Sequence, residues 1–385
     1  MNYIFPKIKN INDILPAIEG NDDIYSVTKD GYIVFNYMLG TSQTFPAIVD
    51  EYAAIRRECR GLIFDAETGD ILRRPFHKFF NLNEREDTAI ENVDFMFPHA
   101  VLDKLDGSMI APFLVGDRMI WGTKMGETDV AQPVMEFVAA NPKYDEFRYL
   151  IGSGFTPIFE WCSNKQRIVL DHPEDSLTLL AIREIQTGEY VSFEFLKSVA
   201  KVYGVPVVKQ YDTIKDINQF LERTRGQSNI EGYVIRFNTG HMIKVKTDWY
   251  VALHKIKEQL LFDRNLVELI LDNRLDDILS YLSSDERDNL IRFQTELYQI
   301  ISDQSHVLMN ITNDNLNMDR KTFALTVAPA LDDMMRPVAF KTFGNRIENV
   351  HDAEVFVIQA IRNGLTSNTK YDTLLKNNWL KELER

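Results

Sequence analysis

The alternation of apolar and polar positions divides the chain into a strand-rich part and a helical part. Short apolar runs bounded by Gly, Asp or Asn predict strands, and they lie at residues 32–38, 61–65, 109–115, 118–122, 157–161, 177–185, 232–237 and 241–246. Apolar residues at helical spacing predict helices at residues 11–18, 130–140, 193–203 and 214–225. The turns Gly116-Asp117 and Asn238-Thr239-Gly240 each join two of these strands as a hairpin.

The pattern changes after Tyr250. Apolar positions then follow helical spacing and few strand signals remain; examples are Leu266, Leu269 and Ile270. We place a domain boundary near residue 252, so that residues 1–252 form a mixed domain and residues 253–385 a helical one.

Composition narrows the class of protein. Hydrophobic residues make up 45% of the 385 residues and charged residues 26%, which is ordinary for a soluble globular protein. Cys59 and Cys162 are too few for a disulfide framework, so a reducing cytoplasm is expected. The N-terminus lacks the pattern of a signal peptide and no apolar run is long enough to cross a bilayer. A net charge of −14 argues against broad non-specific nucleic-acid binding but leaves room for a local basic site.

One stretch in the mixed domain suggests chemistry. Residues 101–110 contain Lys104 in the pattern Lys-x-Asp-Gly-Ser, with apolar residues on both sides. A lysine presented at a strand-to-turn transition is a candidate amine nucleophile, provided that burial or nearby cations populate its neutral form. A solvated turn with Asp106-Gly107 at its corner is the structural alternative.

Charged residues also stand where strands should be apolar. Glu160 and Glu231 are flanked by bulky apolar residues, and Lys244 and Lys246 lie on one face of a strand. Structural salt bridges would account for either glutamate alone. Together with Lys104, however, the pair of lysines suits a phosphate and the carboxylates suit a divalent cation or a ribose hydroxyl.

A basic and aromatic cluster at residues 56–80 adds two more candidates. Arg60 and Lys78 could hold a polyphosphate tail. Phosphoryl and nucleotidyl transfer need positioning, charge neutralisation and a metal, and these residue types can supply them.

The order and spacing of these segments resemble motifs I, III, IV and V of the covalent nucleotidyltransferases, which include DNA ligases, RNA ligases and mRNA capping enzymes. The four matching segments are Lys104-Leu105-Asp106-Gly107-Ser108, Phe159-Glu160-Trp161, Glu231-Gly232-Tyr233-Val234 and Lys244-Val245-Lys246. Further segments narrow the resemblance to the T4-type phage RNA ligase 1 family over nearly the whole chain. They are Glu58-Cys59-Arg60-Gly61, the stretch 78–84, Gln166-Arg167-Ile168-Val169-Leu170, the stretch 247–254 and Asp319-Arg320-Lys321-Thr322-Phe323-Ala324.

The resemblance implies an α+β fold with an N-terminal nucleotidyltransferase domain of ATP-grasp-like antiparallel sheets and helices, followed by an all-α domain. It also implies an ATP-dependent RNA ligase that joins a 5′-phosphate to a 3′-hydroxyl. Lys104 would form lysyl-AMP, AMP would pass to the RNA 5′-phosphate, and the 3′-hydroxyl of a second end would then seal the strand.

Each site residue then has an implied role. Arg60, Lys78, Phe80 and Lys124 match positions that hold or flank the ATP phosphates. Glu160 matches the residue that holds the ribose, while Lys244 and Lys246 match the pair that grips the α-phosphate. Glu231 and Asp276 match carboxylates linked to a magnesium ion, with manganese as the alternative.

One position departs from the family pattern. The family's Tyr-Asn-Tyr segment reads Phe35-Asn36-Tyr37 here, so Phe35 keeps the ring but lacks the hydroxyl. Either the contact of that hydroxyl with ATP is dispensable or Tyr37 supplies it.

The resemblance further implies RNA as the partner. In the family the helical domain is associated with tRNA broken in the anticodon loop, which suggests repair of such tRNA. The protein is expected to act as a monomer in the cytoplasm of an infected host cell, with no membrane among its partners. A DNA ligase or capping enzyme would be expected to carry an OB-fold after motif V, which would appear as short strands rather than helices. A non-catalytic RNA-binding module is the remaining alternative, and the intact lysines and glutamates argue against it.

Overall fold

The computed structural model describes residues 3, 5–260, 263–279, 282 and 284–381 of the chain. It divides the chain into two compact units, Met1–Ala252 and Leu253–Arg385. Helices and sheets mix in the first unit, and every regular element described from residue 263 onward is helical. The predicted α+β class with an all-α C-terminal part is confirmed.

The first unit contains three sheets. The first has the order β1 (Ile24–Lys29), β2 (Tyr32–Tyr37), β3 (Leu62–Asp65) and β4 (Ile71–Arg73). The second has the order β10 (Ser176–Glu184), β9 (Phe155–Cys162), β7 (Ser108–Val115) and β8 (Arg118–Gly122). The third has the order β11 (Gln210–Tyr211), β6 (His99–Lys104), β12 (Gly232–Phe237), β13 (Met242–Lys246) and β5 (Phe80–Asn81).

Seven helices are described in the first unit, if the last one, which runs past residue 252, is counted with it. They are α1 (Leu15–Ile18), α2 (Glu51–Glu58), α3 (Gln132–Ala140), α4 (Phe147–Gly152), α5 (Phe193–Tyr203), α6 (Ile217–Arg225) and α7 (Asp248–Leu260). Helix α6 begins three residues later than predicted because Asp216 caps it, accepting from the amides of Asn218 and Gln219. Helix α2, which Asp50 caps, and strand β1 have no counterpart among the predicted elements.

The helices described from residue 263 onward surround a core of their own. They are α8 (Asp263–Leu271), α9 (Asp276–Leu279), α10 (Ser284–Asp314), α11 (Arg320–Thr326), α12 (Met335–Thr342), α13 (Val350–Gly364) and α14 (Asn368–Lys376). Leu266, Leu297, Val357 and Trp379 are among the fully or almost fully buried members of this core. Helix α10 packs against both α12 and α13. None of the described helices is long and apolar enough to cross a membrane.

Candidate active site

The register of the third sheet places the nucleophile candidate in a row with one of the paired lysines. Gly232 of β12 lies opposite both Lys104 of β6 and Lys246 of β13. Residues directly opposite each other share a face, so the next row on that face holds Leu102, Val234 and Lys244. The strands therefore bring three lysines that are distant in sequence onto one surface.

That surface forms part of the wall of a cavity of about 300 Å³ within the first unit. Residues of all three sheets and of the segments before β3 and β5 contribute to it. The lining residues that carry charge or an aromatic ring are Tyr37, Arg60, Phe76, Lys78, Phe79, Asp103, Lys104, Glu160, Arg236, Lys244 and Lys246. Four of these side chains are lysine or arginine residues among the predicted phosphate contacts, and Lys104 adds a further amine, so the cavity suits an anion.

Glu231 links two of the lysines from behind the cavity. Its Oε1 lies 2.8 Å from Nζ of Lys104 and 3.0 Å from Nζ of Lys246, and its side chain is only 4% exposed. A buried carboxylate shared by two ammonium groups leaves one net positive charge in this trio. Of the predicted partners of Lys104, Glu231 therefore contacts its amine directly and Lys246 contacts the same carboxylate.

Lys244 lies in the next row, and no salt bridge to a carboxylate is found for it among the described residues. Burial lowers the pKa of its ammonium group to about 7, and the positive charges of Lys78 and Lys104 act in the same direction. Its Nζ stands 5.3 Å from the ring centroid of Phe79. An anion bound here would favour the charged form of Lys244.

Lys78 and Tyr37 form the opposite edge of the charged part of the cavity. Nζ of Lys78 donates to the Tyr37 hydroxyl at 3.1 Å. Burial would raise the pKa of Tyr37, but the positive charges of Lys78, Arg60 and Lys124 outweigh it and lower that pKa. A tyrosine hydroxyl whose pKa is lowered by three cations marks a strongly positive region.

Glu160 enters from the second sheet, where it lies opposite Met109 on the neighbouring strand. Burial raises the pKa of Glu160 to about 7; Lys104 opposes the shift and Glu231 adds to it. The backbone of Gly107 also interacts with the Glu160 carboxylate. Glu160 can therefore accept or donate a hydrogen bond near neutral pH, which suits contact with a hydroxyl group.

Asp106 fixes the turn that carries Lys104. Its Oδ2 accepts from the amides of Val169 and Leu170, at 2.8 and 2.5 Å, and its Oδ1 accepts from the Tyr250 hydroxyl at 2.6 Å. The side chain is 2% exposed, so Asp106-Gly107 is not the corner of a solvated turn. Gly107 is required here because a Cβ would collide with the carbonyl oxygen of Trp161.

A buried ion cluster holds the segment that carries Arg60. Glu58, at the end of α2, accepts from Arg183 at 2.7 Å and from Arg74 at 3.0 Å. Burial alone would raise the pKa of Glu58, but Arg183 and Arg74 lower it to about 2. Glu58 is thus ionised at neutral pH and ties the chain two residues before Arg60 to strand β10.

The two aromatic residues of the Phe35-Asn36-Tyr37 segment have different environments. Phe35 is 3% exposed and packs against Phe64, 5.7 Å between ring centroids, so it does not line the cavity. Tyr37 does line it. Pairing with β3 ends at Phe35 opposite Leu62, whereas pairing with β1 continues to Tyr37 opposite Ile24. Strand β2 therefore carries Tyr37 past the end of β3. Of the two rings, only that of Tyr37 lies at the cavity wall, so Tyr37 is the proposed nucleotide contact of this segment.

Phe80 is the aromatic residue that matches the family position, but its neighbour Phe79 is the ring that lies at the cavity. Phe79 lines the cavity, whereas Phe80 is fully buried. Neighbouring residues of an extended chain point to opposite sides, so only one of the two rings can face the cavity. Phe80 instead lies beneath Lys78, 5.3 Å from Nζ to its ring centroid, and can support that lysine.

Lys124 lies at the margin rather than on the cavity wall. It is exposed in the turn after β8, and its Nζ stands 5.3 Å from the ring centroid of Tyr37. It therefore adds positive charge beside Tyr37 without lining the cavity.

The predicted metal ligands are placed only in part. Glu231 lies at the site, but Asp276 begins helix α9 and its side chain lies outside the described residues. No group of three His, Cys, Asp or Glu side chains arranged for a metal occurs among the described residues. Mg²⁺ is commonly held by one or two carboxylates, water and substrate phosphates, so Glu231 beside a cavity lined by lysine and arginine side chains fits that donor set.

Sequence reasoning overlooked two charged residues of the cavity wall, Asp103 and Arg236. Arg236 lies on β12 two positions after Val234, on the same face as the lysines of β13. A charged residue inside the apolar run 232–237, at the parity of Gly232 and Val234, is the signal that could have found it.

Comparison with known proteins agrees with these observations. Residues 58–258, slightly more than half of the chain, match the profile of a family described as RNA ligase. A protein of Thermovibrio ammonificans, provisionally described as an RNA ligase, is 28% identical over 313 residues, which is 77% of this chain and 79% of that protein. RNA ligase 1 of bacteriophage TS2126 is 26% identical over 284 residues, which is 70% of this chain and 67% of that protein.

Solved structures are more distant. An archaeal ATP-dependent RNA ligase aligns with 75% of this chain and 78% of its own, at 15% identity and a TM-score of 0.46. The family assignment rests instead on the profile match across the segments that carry Arg60, Lys104, Glu160, Glu231 and Lys246. The chain belongs to the T4-type RNA ligase 1 family, as the motifs around Lys104 predict.

Proposed function

We propose that the protein is an ATP-dependent RNA ligase that joins a 5′-phosphate to a 3′-hydroxyl through lysyl-AMP and RNA-adenylate intermediates. The observation that carries the proposal is the placement of Lys104, Lys246 and Lys244 in adjacent rows of one sheet face, with Glu231 2.8 Å from the amine of Lys104. Family membership supports the same reaction class.

The first step is a nucleotidyl transfer to the enzyme. The neutral amine of Lys104 attacks the α-phosphorus of ATP, a P–N bond forms, and the bond from the α-phosphorus to the pyrophosphate oxygen breaks. The amine loses one proton in this step, which the carboxylate of Glu231, 2.8 Å from Nζ, can accept. Lys244 and Lys246 neutralise the charge that builds on the α-phosphoryl oxygens, and Arg60 and Lys78 hold the β- and γ-phosphates. Glu160 holds a ribose hydroxyl.

A divalent cation supplies charge neutralisation for the phosphates when it is bound. Glu231 would hold it together with substrate phosphates, and magnesium is the proposed ion. Glu231 also retains Lys104 and Lys246 beside the α-phosphate through the two ion pairs described above.

The later steps use the same cavity. An oxygen of the RNA 5′-phosphate attacks the phosphorus of lysyl-AMP, and the P–N bond to Lys104 breaks. The 3′-hydroxyl of a second RNA end then attacks the 5′-phosphate and releases AMP. For both transfers Lys244 and Lys246 remain in place to neutralise phosphate charge.

We further propose that the substrate is tRNA cleaved in the anticodon loop, that the helical unit recognises it, and that the protein works as a monomer in the cytoplasm of an infected cell. This part rests on the family resemblance. The self-contained core of the helical unit supports a separate recognition role for it.

The test is covalent labelling with ATP that is radioactive at the α-phosphate. We expect the wild-type protein to retain label through denaturation and Lys104→Ala to retain none, because no other amine occupies the position opposite Gly232 on β6. The exposed Lys201→Ala serves as the matched control and should label normally. Label from GTP instead of ATP would indicate a capping enzyme, and equal labelling of Lys104→Ala would refute the assignment of the nucleophile.

A further inference from the structure

Arg236 is a buried guanidinium on the cavity wall, and it makes no salt bridge to a carboxylate within the described part of the chain. It is 8% exposed. Its Nη2 donates to the carbonyl of Val191, and its Cζ stands 5.5 Å from the ring centroid of Tyr190. Its Nη1 is buried and has no hydrogen-bond partner among the residues that the structure describes. A guanidinium has only donors, so an unpaired buried Nη1 costs free energy until an acceptor reaches it.

The sheet register places Arg236 away from the reacting groups. Its row contains Ala100 and Met242, which are both apolar. Arg236 lies four positions along β12 from Gly232, which marks the Lys104 row. At about 3.3 Å per residue the two rows are roughly 13 Å apart. Three rows therefore follow one another along this wall of the cavity. The first holds Lys104 and Lys246, the second Lys244, and the third Arg236.

A nucleotide whose α-phosphate lies against Lys104 and Lys244 needs a partner for its base along this wall. The phosphates already have cations in Arg60, Lys78, Lys244 and Lys246. Arg236 stands instead among apolar neighbours, where a flat ring can be buried and a single donor can select an acceptor atom. Ring nitrogens of a purine accept hydrogen bonds, whereas its exocyclic amine does not.

We infer that Arg236 is a specificity-determining residue that donates from Nη1 to a ring nitrogen of the purine base of the nucleotide substrate. The inference rests on the proposed function, because the α-phosphate position fixes which end of the cavity receives the base. Arg236 does not touch the reacting atoms, so it acts on nucleotide binding and selection. A purely structural role, through the bond to Val191, would affect stability without affecting the choice of base.

The experiment measures adenylylation of the enzyme with ATP and with 1-deaza-, 3-deaza- and 7-deaza-ATP. Each analogue replaces one ring nitrogen by C–H and so removes one acceptor. We expect the wild-type protein to discriminate about tenfold or more in kcat/KM against one of the three analogues. In Arg236→Met the value of kcat/KM for ATP should fall by about the same factor, mainly because KM rises. This variant should then use ATP and that analogue equally well.

Two further variants keep the result interpretable. Arg236→Lys retains a donor and should restore part of the discrimination even if Arg236→Met folds poorly. Arg225→Met, at an exposed position on α6, should leave both KM and discrimination unchanged. Equal use of all four nucleotides by the wild-type protein, or discrimination that persists in both Arg236 variants, would overturn the inference. Absence of any adduct from ATP in the wild-type protein would instead refute the proposed function.

Discussion

At the scale of single residues, Lys244 combines a phosphate-binding position with an unfavourable environment for charge. Burial, with Lys78 and Lys104 nearby, brings the pKa of its side chain to about 7. A lysine with this pKa is largely neutral at pH 8, and a bound phosphate raises the pKa again because it favours the ammonium form.

ATP binding at pH 8 should therefore be accompanied by proton uptake by Lys244. Calorimetric titrations in buffers of different ionisation enthalpy measure this number directly, and we expect a value approaching one proton per ATP. Lys244→Arg keeps the charge but cannot deprotonate, so uptake should disappear while binding persists. Uptake that is unchanged in Lys244→Arg would show that another group takes the proton.

Glu160 makes a second prediction, on stability against pH. Its pKa is raised from 4.5 to about 7 by burial, so the folded protein binds more protons than the unfolded chain between these values. The contribution of protonated Glu160 to the free energy of unfolding is fully present below pH 4.5 and is lost as pH rises through 7. We expect the difference in free energy of unfolding between wild type and Glu160→Gln to change by at most about 3 kcal/mol across this window.

Denaturant titrations at several pH values from 4.5 to 8 measure this difference. Glu136→Gln, at an exposed position on α3, is the control for loss of a carboxylate as such. A difference that stays constant across the window would mean that the folded protein does not hold Glu160 protonated.

At the scale of elements, the close approach of β6, β12 and β13 depends on Gly232. Its φ is +147°, and a Cβ at this position would collide with the carbonyl oxygen of Val245. Any side chain would therefore push β13 away from β12 at the row that holds Lys104 and Lys246.

Gly232→Ala should destabilise the protein by roughly 2 kcal/mol or more and should abolish the covalent adduct even where the protein stays folded. Circular dichroism on heating and labelling with ATP measure the two effects separately. Gly152→Ala, where nothing lies within 4 Å of the added Cβ, is the control and should change neither. Normal labelling by Gly232→Ala would show that the lysines tolerate a wider spacing.

At the scale of the whole molecule, the two compact units suggest a division of labour. The described cavity residues all belong to the first unit, and the helical unit has its own buried core. Removal of the residues after α7, which ends at Leu260, should therefore leave a first unit that can be tested alone.

We expect this truncated protein to seal tRNA stem-loops broken in the anticodon loop much less well than the full chain, and plain single strands nearly as well. Gel assays of the two substrates with equal amounts of adenylylated protein measure the ratio. An equal loss on both substrates would remove the case for tRNA recognition by the helical unit, and loss of adenylylation itself would show that the first unit needs the second.

The sequence alone determined the elements and residue types of the site. Alternation predicted most of the strands, and helical spacing predicted four segments of the first unit and the helical character of the residues after 253, because burial of one face imposes those periods. The motif residues Lys104, Glu160, Glu231, Lys244 and Lys246 were likewise recognisable in order along the chain. Family membership followed from the same segments.

Only the tertiary structure decided which side chains meet. Phe79 rather than Phe80 lines the cavity because adjacent residues point to opposite sides of an extended chain. Tyr37 rather than Phe35 lines it because of where the cavity lies along strand β2. Neither propensity nor motif spacing contains this information. Asp106 binds the amides of Val169 and Leu170, more than sixty residues away, so its anchoring role required the folded chain. Arg236 lies on the cavity wall because register, set by pairing between strands, places it in line with the lysines.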